Sequence, residues 1–308
     1  MTLQQLRYII AIDEYRHFGR AAEACGLTQS TLSLMVKKLE EELDVCLFDR
    51  ASHPISPTEI GRKVIDKAKV VLYNVGQLVE MTQSEKTLLS GSLRIALIST
   101  VAPVLVPGLF RYFGENYPAM SLHTQEMLTD TIKDRLRKAE VDMGIMTGPV
   151  GEEDLLEIPL WTEHFYAYVS EKDMAYSLDS IPALSLVGRS VWMMKDGVGC
   201  QDITSLPMIG MEGYEHYFEG GRIGTLIQIV NENGGLTIIP ETHTNLILYS
   251  LQKNLRPIVD PELKRTISLV IRRDYIHEAT LNIVVGAIKT IIPGHLLDPV
   301  IRQEHIHL

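Results

Sequence analysis

The stretch FGRAAEACGLTQSTLSLMVKKLEEELDVCLFDR, residues 18–50, decides how the rest of the chain is read. Phe18, Ala21, Ala22 and Cys25 fall at i, i+3, i+4 and i+7, which is one buried face of a short helix. The paired alanines at its centre let a second helix approach closely. Gly26 suits the left-handed conformation that ends a helix, and Thr28 is a good N-cap for the next one. That second helix carries Leu32, Met35, Val36, Leu39 and Leu43 inward at 3.6-residue spacing. Its opposite, N-terminal face shows Gln29, Ser30, Thr31, Ser33 and Lys37. Small hydroxyls and an amide at the exposed start of a helix suit the reading of base edges in a major groove. The spacing predicts a helix-turn-helix. Taken alone, the same residues also fit two packed helices of an ordinary bundle.

The flanks favour the first reading. Upstream, Leu3, Leu6, Ile9, Ile10 and Ile12 predict a further helix able to pack across the pair. Downstream, residues 46–50 and 55–58 read as the two strands of a wing, with Ser52, His53 and Pro54 in the turn. With these flanks the segment resembles the winged helix-turn-helix of LysR-type transcriptional regulators. The matching residues are Phe18, Ala21-Ala22, Thr28-Gln29-Ser30, Leu32-Ser33, Leu39-Glu40, Leu43, Leu47-Phe48, Arg50, Thr58 and Gly61. Asp44 stands where the family usually has glycine, and His53-Pro54 replace a basic pair common at the wing tip. The resemblance implies binding to double-stranded DNA through Gln29, Ser30, Thr31, Ser33 and Lys37, joined by Arg50 and His53.

Composition fits a DNA-binding domain attached to an acidic body. The 308 residues suffice for two or three domains with sizeable cores. Residues 1–70 hold ten Lys+Arg and ten Asp+Glu, so the whole net charge of −10 lies beyond them. A neutral DNA domain should bind non-specific DNA weakly and gain affinity from pairing. Arg7, Asp13, Glu14 and Arg16 interrupt the first apolar stretch, which argues against a secretory signal. No apolar run approaches the roughly 20 residues that span a bilayer. Three widely spaced cysteines make no disulfide framework. The expectation is a cytoplasmic chain with no membrane partner.

Residues 59–90 read as one long helix. Ile60, Val64, Ala68, Val71, Leu72, Val75, Leu78 and Val79 recur at threes and fours between charged residues. The stripe could pack on its own domain or form a coiled coil with a second copy. The resemblance implies the latter, a linker through which homodimers pair and set the spacing of two recognition helices. Assembly of dimers into a homotetramer and contact with RNA polymerase are further partner expectations. Ser90-Gly91-Ser92 ends the helix and marks a domain boundary.

Beyond Gly91 strands and helices alternate. Strands are predicted over 93–98, 122–127 and 141–146, with helices over about 103–116 and 130–139. This is βαβ order, which implies a parallel sheet. A second unit has a strand over 191–194, a helix over 224–233 and a strand over 236–239 stopped by Pro240. A late strand over 267–272 and a closing helix over 280–292 follow. Two α/β lobes joined by crossing strands resemble the periplasmic-binding-protein fold of LysR effector domains. The expected organisation is a winged helix-turn-helix over 1–58, a linker over 59–90 and an effector domain over 91–308. Lobe I would hold about 91–162 and 268–308, and lobe II about 163–267.

Ligands of such folds sit beyond the carboxyl ends of the strands. That rule selects Ser99, Thr100, Thr129 and the loop 196–200. Thr100 and Thr129 could equally be helix N-caps. Cys200 lies in a glycine-rich loop between a strand and an expected helix, where N–H groups could lower a thiol pKa. Many lone cysteines are simply small buried hydrophobes. The segments 97–101, 196–202 and 265–270 resemble those of the OxyR-type peroxide sensors within the LysR family. That resemblance implies a peroxide-sensitive Cys200, assisted by Thr100, Thr129 and Arg265, with Asp202 in the same loop. The second cysteine of that subfamily is absent, Met208 and Met211 occupying the stretch, and Gly199 replaces its usual histidine. Val198 also lengthens the loop. Cys25 and Cys46 belong to the DNA domain, so an internal disulfide is not expected. A sulfenic acid or mixed disulfide is. The competing reading is a reversible small-molecule effector in the cleft.

Enzyme readings are weaker. Gly197 and Gly199 lack the third glycine of a nucleotide loop, and no H-E-x-x-H, C-x-x-C or P-loop occurs. A thiol enzyme would need a resolving thiol, and a solute-binding protein would carry no helix-turn-helix. His305 and His307 read as solvated tail residues rather than metal ligands. Neither metal nor cofactor is expected.

Overall fold

The computed structural model describes residues 1–84, 91–186, 191–192, 222–302 and 306. The stretch containing Cys200, Asp202, Met208 and Met211 lies outside the described residues, as do 85–90, His305 and His307. Two compact units emerge, Met1–Leu88 with Arg137–Glu140, and Leu89–Leu136 with Val141–Leu308.

The first unit is a three-helix core with a wing. Helix α1 (Leu3–Tyr15) starts in a reciprocal cap between Thr2 and Gln5. Helix α2 (Phe18–Ala24) is capped by His17, whose Nδ1 accepts from the N–H groups of Gly19 and Arg20. Gly26 at φ 67° then turns the chain, and the Leu27 N–H donates back to the Ala22 carbonyl. Helix α3 (Gln29–Leu43) begins at the Thr28 cap and ends at Asp44, which adopts φ 54°. The departure at Asp44 therefore preserves the left-handed turn that glycine would make, since aspartate tolerates that region better than most residues. Strands β1 (Phe48–Asp49) and β2 (Ser56–Pro57) pair antiparallel, a wing shorter than expected.

Helix α4 (Glu59–Ser84) follows. A Cβ on Gly61 would lie 1.9 Å from the Leu47 carbonyl oxygen, so only glycine permits this approach of helix to wing. Ile65 and Ala68 are buried in the core of α1–α3, with Val64 and Leu72 packed at its edge. Val71 and Leu78, however, are 42% and 61% exposed. The apolar stripe thus divides between its own domain and solvent.

In the second unit, β3 (Gly91–Leu97), β4 (Met120–Glu126) and β5 (Met143–Thr147) form the expected parallel set, ordered β4-β3-β5. Helices α5 (Ala102–Asn116) and α6 (Thr129–Arg137) connect them. The sheet becomes mixed at the next strands. Strand β11 (Lys264–Arg272) runs antiparallel to β5 and to the long β6 (Leu155–Val169), an element the alternation of apolar residues did not announce. Beyond β6 lie β9 (Leu236–Pro240) and β10 (Leu255–Val259), both antiparallel to it. The short β7 (Ile181–Pro182) and β8 (Val191–Trp192) extend these edges in parallel. Helix α7 (Ile223–Asn233) packs beside β9, and α8 (Glu278–Ile291) lies in the core with α5.

Strand β6 belongs to both cores, and β11 enters the first of them just after Leu263, which packs in the second. Leu155 to Trp161 and Ile267 to Ile271 pack in one, whereas Phe165, Ala167, Val169 and Leu263 pack in the other. Their register shifts between Ile267 and Ser268, where Trp161 and Pro159 are the successive partners. The extra residue, Leu160, bends the pair. Pro159 offers no N–H to the ladder, so the irregularity falls where a donor is already missing. The two strands stay paired from Lys264–His164 to Arg272–Leu155, and β6 passes to β9 as its partner from Phe165 onward.

Candidate functional site

The DNA-facing candidates share one helix start. Gln29 and Ser30 are exposed, Thr31 and Ser33 half-buried, and Lys37 exposed one turn further on. Thr28 Oγ1 lies 3.0 Å from the Ser30 hydroxyl and 2.8 Å from that of Thr31, while accepting from the Thr31 N–H. These linked hydroxyls hold the start of α3 in one arrangement. Lys37 pairs with Glu41 at 3.6 Å across one helical turn, an exposed contact that holds the ammonium only weakly.

Arg50 is used differently from the other candidates. Its Nη2 donates to Glu40 at 2.9 Å, and its guanidinium lies 5.5 Å from the Phe18 ring centroid. Glu40 also accepts from the Leu47 N–H at 2.8 Å. Glu40 thereby ties α3 to the wing, and Arg50 closes that contact. His53 stands exposed at the wing tip. The sequence signal for Glu40 was only its place in the matching motif; its partners come from strands seven to ten residues on.

In the second unit the crossing strands bury an ion pair. Arg265 on β11 donates from Nε to Glu163 Oε1 on β6 at 2.9 Å, and its Nη2 lies 2.7 Å from the same oxygen. Both side chains have no solvent exposure. Arg265 Nη1 donates to Thr100 Oγ1 at 2.9 Å, in the loop after β3. Glu163 Oε2 accepts from the Thr242 N–H at 2.9 Å and its hydroxyl at 2.6 Å. A charge removed from water needs several such partners, and each carboxylate oxygen has them. The network joins the loop after β3 to the 3₁₀ turn Glu241–Leu246.

Thr100 is therefore no helix cap. Val101 occupies the cap position of α5 without a side-chain bond, and Thr100 is turned inward to Arg265. Its hydroxyl is drawn there because a buried guanidinium must be satisfied. Thr129 is the first residue of α6 rather than its cap, and it makes no side-chain bond to Thr100 or Arg265 among the described residues. The structure brings Thr100 and Arg265 together; Cys200 and Asp202 lie outside the described residues.

Next to the ion pair sits His243, only 5% exposed, with its Nδ1 lacking a hydrogen-bond partner among the described residues. Burial, aided by the Arg265 charge and opposed by Glu163, pushes its pKa down to about 4. The imidazole is neutral at pH 7. His243 lines a cleft of about 490 Å³, shared with Ser99 and with Arg222 and Ile223 at the start of α7. That volume falls within the range of small-ligand sites, roughly 300–1,000 Å³. Glu163, Thr242, His243 and Arg222 escaped sequence reasoning. None of the four carried a usable local signal; Glu163 lies on β6, a strand its own sequence does not announce.

No group of three or more His, Cys, Asp or Glu side chains able to hold a metal occurs among the described residues. No helix among them is long and apolar enough to cross a membrane.

Comparison with known proteins agrees with both units. Residues 3–62 match the bacterial regulatory helix-turn-helix protein, lysR family, and residues 86–290 match the LysR substrate binding domain. The DNA-binding transcriptional dual regulator OxyR of Escherichia coli is 29% identical, the alignment covering 98% of this chain and 99% of that protein. A hydrogen peroxide-inducible genes activator of Haemophilus influenzae is 31% identical over 88% of this chain and 91% of its own length. Among solved structures, a full-length OxyR variant from Pseudomonas aeruginosa superposes with a TM-score of 0.81 at 28% identity, covering 97% of this chain and 98% of that one. With its helix-turn-helix and its two-lobed substrate-binding unit both matched, the chain belongs to the LysR family of bacterial transcriptional regulators.

Proposed function

We propose that this regulator binds its operator as a homodimer, assembling further into tetramers, and that hydrogen peroxide alters that binding through Cys200. The carrying observation is the buried bond from Arg265 to Thr100, which joins two residues that the resemblance assigns to peroxide sensing. Similarity along 98% of the chain to a named OxyR supports the same reading. Dimerisation is supported by the exposed Val71 and Leu78 on α4. Contact with RNA polymerase follows from the regulatory role.

In the proposed reaction the Cys200 thiolate attacks one peroxide oxygen. The O–O bond breaks, hydroxide leaves, and the sulfur becomes a sulfenic acid. The chain has three cysteines, two of them, Cys25 and Cys46, in the first unit, so the product persists as the sulfenic acid or is capped by a small thiol. The Cys25 thiol is pushed up by burial, which disfavours its reactive thiolate. Footprinting on the protein's own upstream DNA, with and without peroxide, tests the reading alongside mass spectrometry. Cys200 should gain one oxygen or one thiol adduct before Cys25 and Cys46. Cys200→Ser should bind DNA but ignore peroxide. Equal reactivity of the three thiols, or a peroxide response retained by Cys200→Ser, refutes it.

A further inference from the structure

His17 caps α2 with one ring nitrogen and leaves the other at the protein surface. Its Nδ1 accepts from the N–H groups of Gly19 at 3.0 Å and Arg20 at 3.3 Å. A protonated Nδ1 could not accept, so the ring that makes these bonds is neutral and carries its hydrogen on Nε2. The side chain is exposed, and Nε2 makes no hydrogen bond among the described residues. Two bonds to Nδ1 keep the ring from turning, so the Nε2–H points in a fixed direction. The N–H groups of Gly19 and Arg20 are spent on the ring, which leaves the side chain, not the helix end, to meet a ligand.

Gly19 and Gln29 show where that edge lies. A Cβ on Gly19 would stand 3.0 Å from His17 Cε1 and 3.7 Å from Gln29 Oε1. Ring and amide therefore share the open space over Gly19, and Cε1 is the ring atom bonded to Nε2. Gln29 begins α3, the helix whose exposed start suits base edges. In helix-turn-helix domains the helix before it crosses the DNA backbone. A donor beside Gln29, at the start of that crossing helix, is placed for a phosphate oxygen. The distribution of charge points to the same use. Arg16, Lys37 and Arg50 each face a carboxylate within 3.6 Å, those of Asp13, Glu41 and Glu40. A domain whose cations are balanced in this way gains from neutral donors to phosphate, which backbone N–H and polar side chains commonly supply.

We propose that His17 is a DNA-contacting residue whose neutral Nε2–H donates to one backbone phosphate in each half-site, next to the base pair that Gln29 meets. The imidazole brings no charge, so the contact adds affinity without releasing a counter-ion. It fixes the position of the helix pair on the duplex and carries no sequence information itself. The proposal rests on operator binding by the paired chain, and needs neither peroxide nor Cys200.

The test measures, by fluorescence anisotropy over a salt series, how the reduced full-length protein binds the operator footprinted in its own upstream DNA. Mildly alkaline buffer keeps an ordinary imidazole neutral. His17→Asn retains a good helix cap but has no donor where Nε2 stood, and His17→Ser does the same with a second cap chemistry. Both variants should unfold at the urea concentration of the parent and bind the operator about 10-fold more weakly. Their affinity should fall with salt along the same slope as the parent's. Single methylphosphonate substitutions along one half-site then locate the partner. At one phosphate the parent should lose about 10-fold more affinity than His17→Asn does. That phosphate should flank the base pair at which Gln29→Ala relaxes preference. Variants that bind as tightly as the parent make His17 a cap and nothing more, which overturns the proposal. So does a methylphosphonate scan that is the same for parent and variant, or a salt slope reduced by about one per half-site, the mark of a cationic contact. A parent that does not bind its upstream DNA removes the operator reading and this proposal together, whereas binding that the variants share in full removes this proposal alone.

Discussion

His243 makes the stability of the second unit depend on pH in a direction fixed by its surroundings. Its pKa is 6.5 when unperturbed and about 4 in the folded protein, with burial the main cause and Arg265 the second. The unfolded chain therefore takes up a proton as pH falls through 6.5, while the folded chain stays neutral until about pH 4. Stability from this group is full above pH 6.5 and is lost on the way down to pH 4, not gained. Each pH unit in that window is worth about 1.4 kcal/mol, so the whole loss is about 3 kcal/mol and the share down to about pH 5 is about 2 kcal/mol. Urea unfolding followed by tryptophan fluorescence measures it, because the only two tryptophans, Trp161 and Trp192, both lie in this unit. The comparison is with His243→Gln, which keeps a neutral hydrogen-bonding side chain and cannot titrate. The stability of the parent relative to the variant should fall by about 2 kcal/mol between about pH 7 and about pH 5. Other titrating groups cancel in the difference. A difference that stays flat across that range, or grows, would show that the imidazole is not held neutral by its site.

Arg265→Met should cost about 3–5 kcal/mol in urea unfolding, because it leaves the Glu163 carboxylate buried without its cation. Adding Glu163→Leu should recover most of that loss, and a double variant as unstable as the single would refute the account. Gln29→Ala should relax base preference at one operator position by about 1–3 kcal/mol in a binding-site selection, whereas Lys37→Ala should weaken all sequences alike. Replacing Val71 and Val75 together with lysine should give monomers by light scattering and abolish binding to a two-half-site operator.

The helix-turn-helix was legible in the sequence because its information is local. Phe18, Ala21 and Ala22 meet Leu32, Val36 and Leu39 across a turn of a few residues, so periodicity, the left-handed Gly26 and the Thr28 cap all appear in one short window. The same holds for the parallel strands β3, β4 and β5, each separated by one helix. Strand β6 was not legible. It carries Pro159 and several charged or polar residues, and it pairs with strands up to about a hundred residues away, which no local pattern records.

The effector site divides in the same way. Sequence position alone pointed to Ser99, Thr100 and Arg265, because strand ends and a family motif mark them. Only the tertiary structure decided what they do. Arg265 lies 165 residues from Thr100 and 102 from Glu163, yet the crossing of β6 and β11 buries all three in one network. Once a guanidinium is sealed there, electrostatics dictate the rest. Glu163 must be its counter-ion, Thr242 must fill the second carboxylate oxygen, Thr100 must turn inward rather than cap α5, and His243 must stay neutral beside the charge. A sequence states which groups can ionise or donate; burial and neighbours, which exist only in the folded chain, settle which of them do.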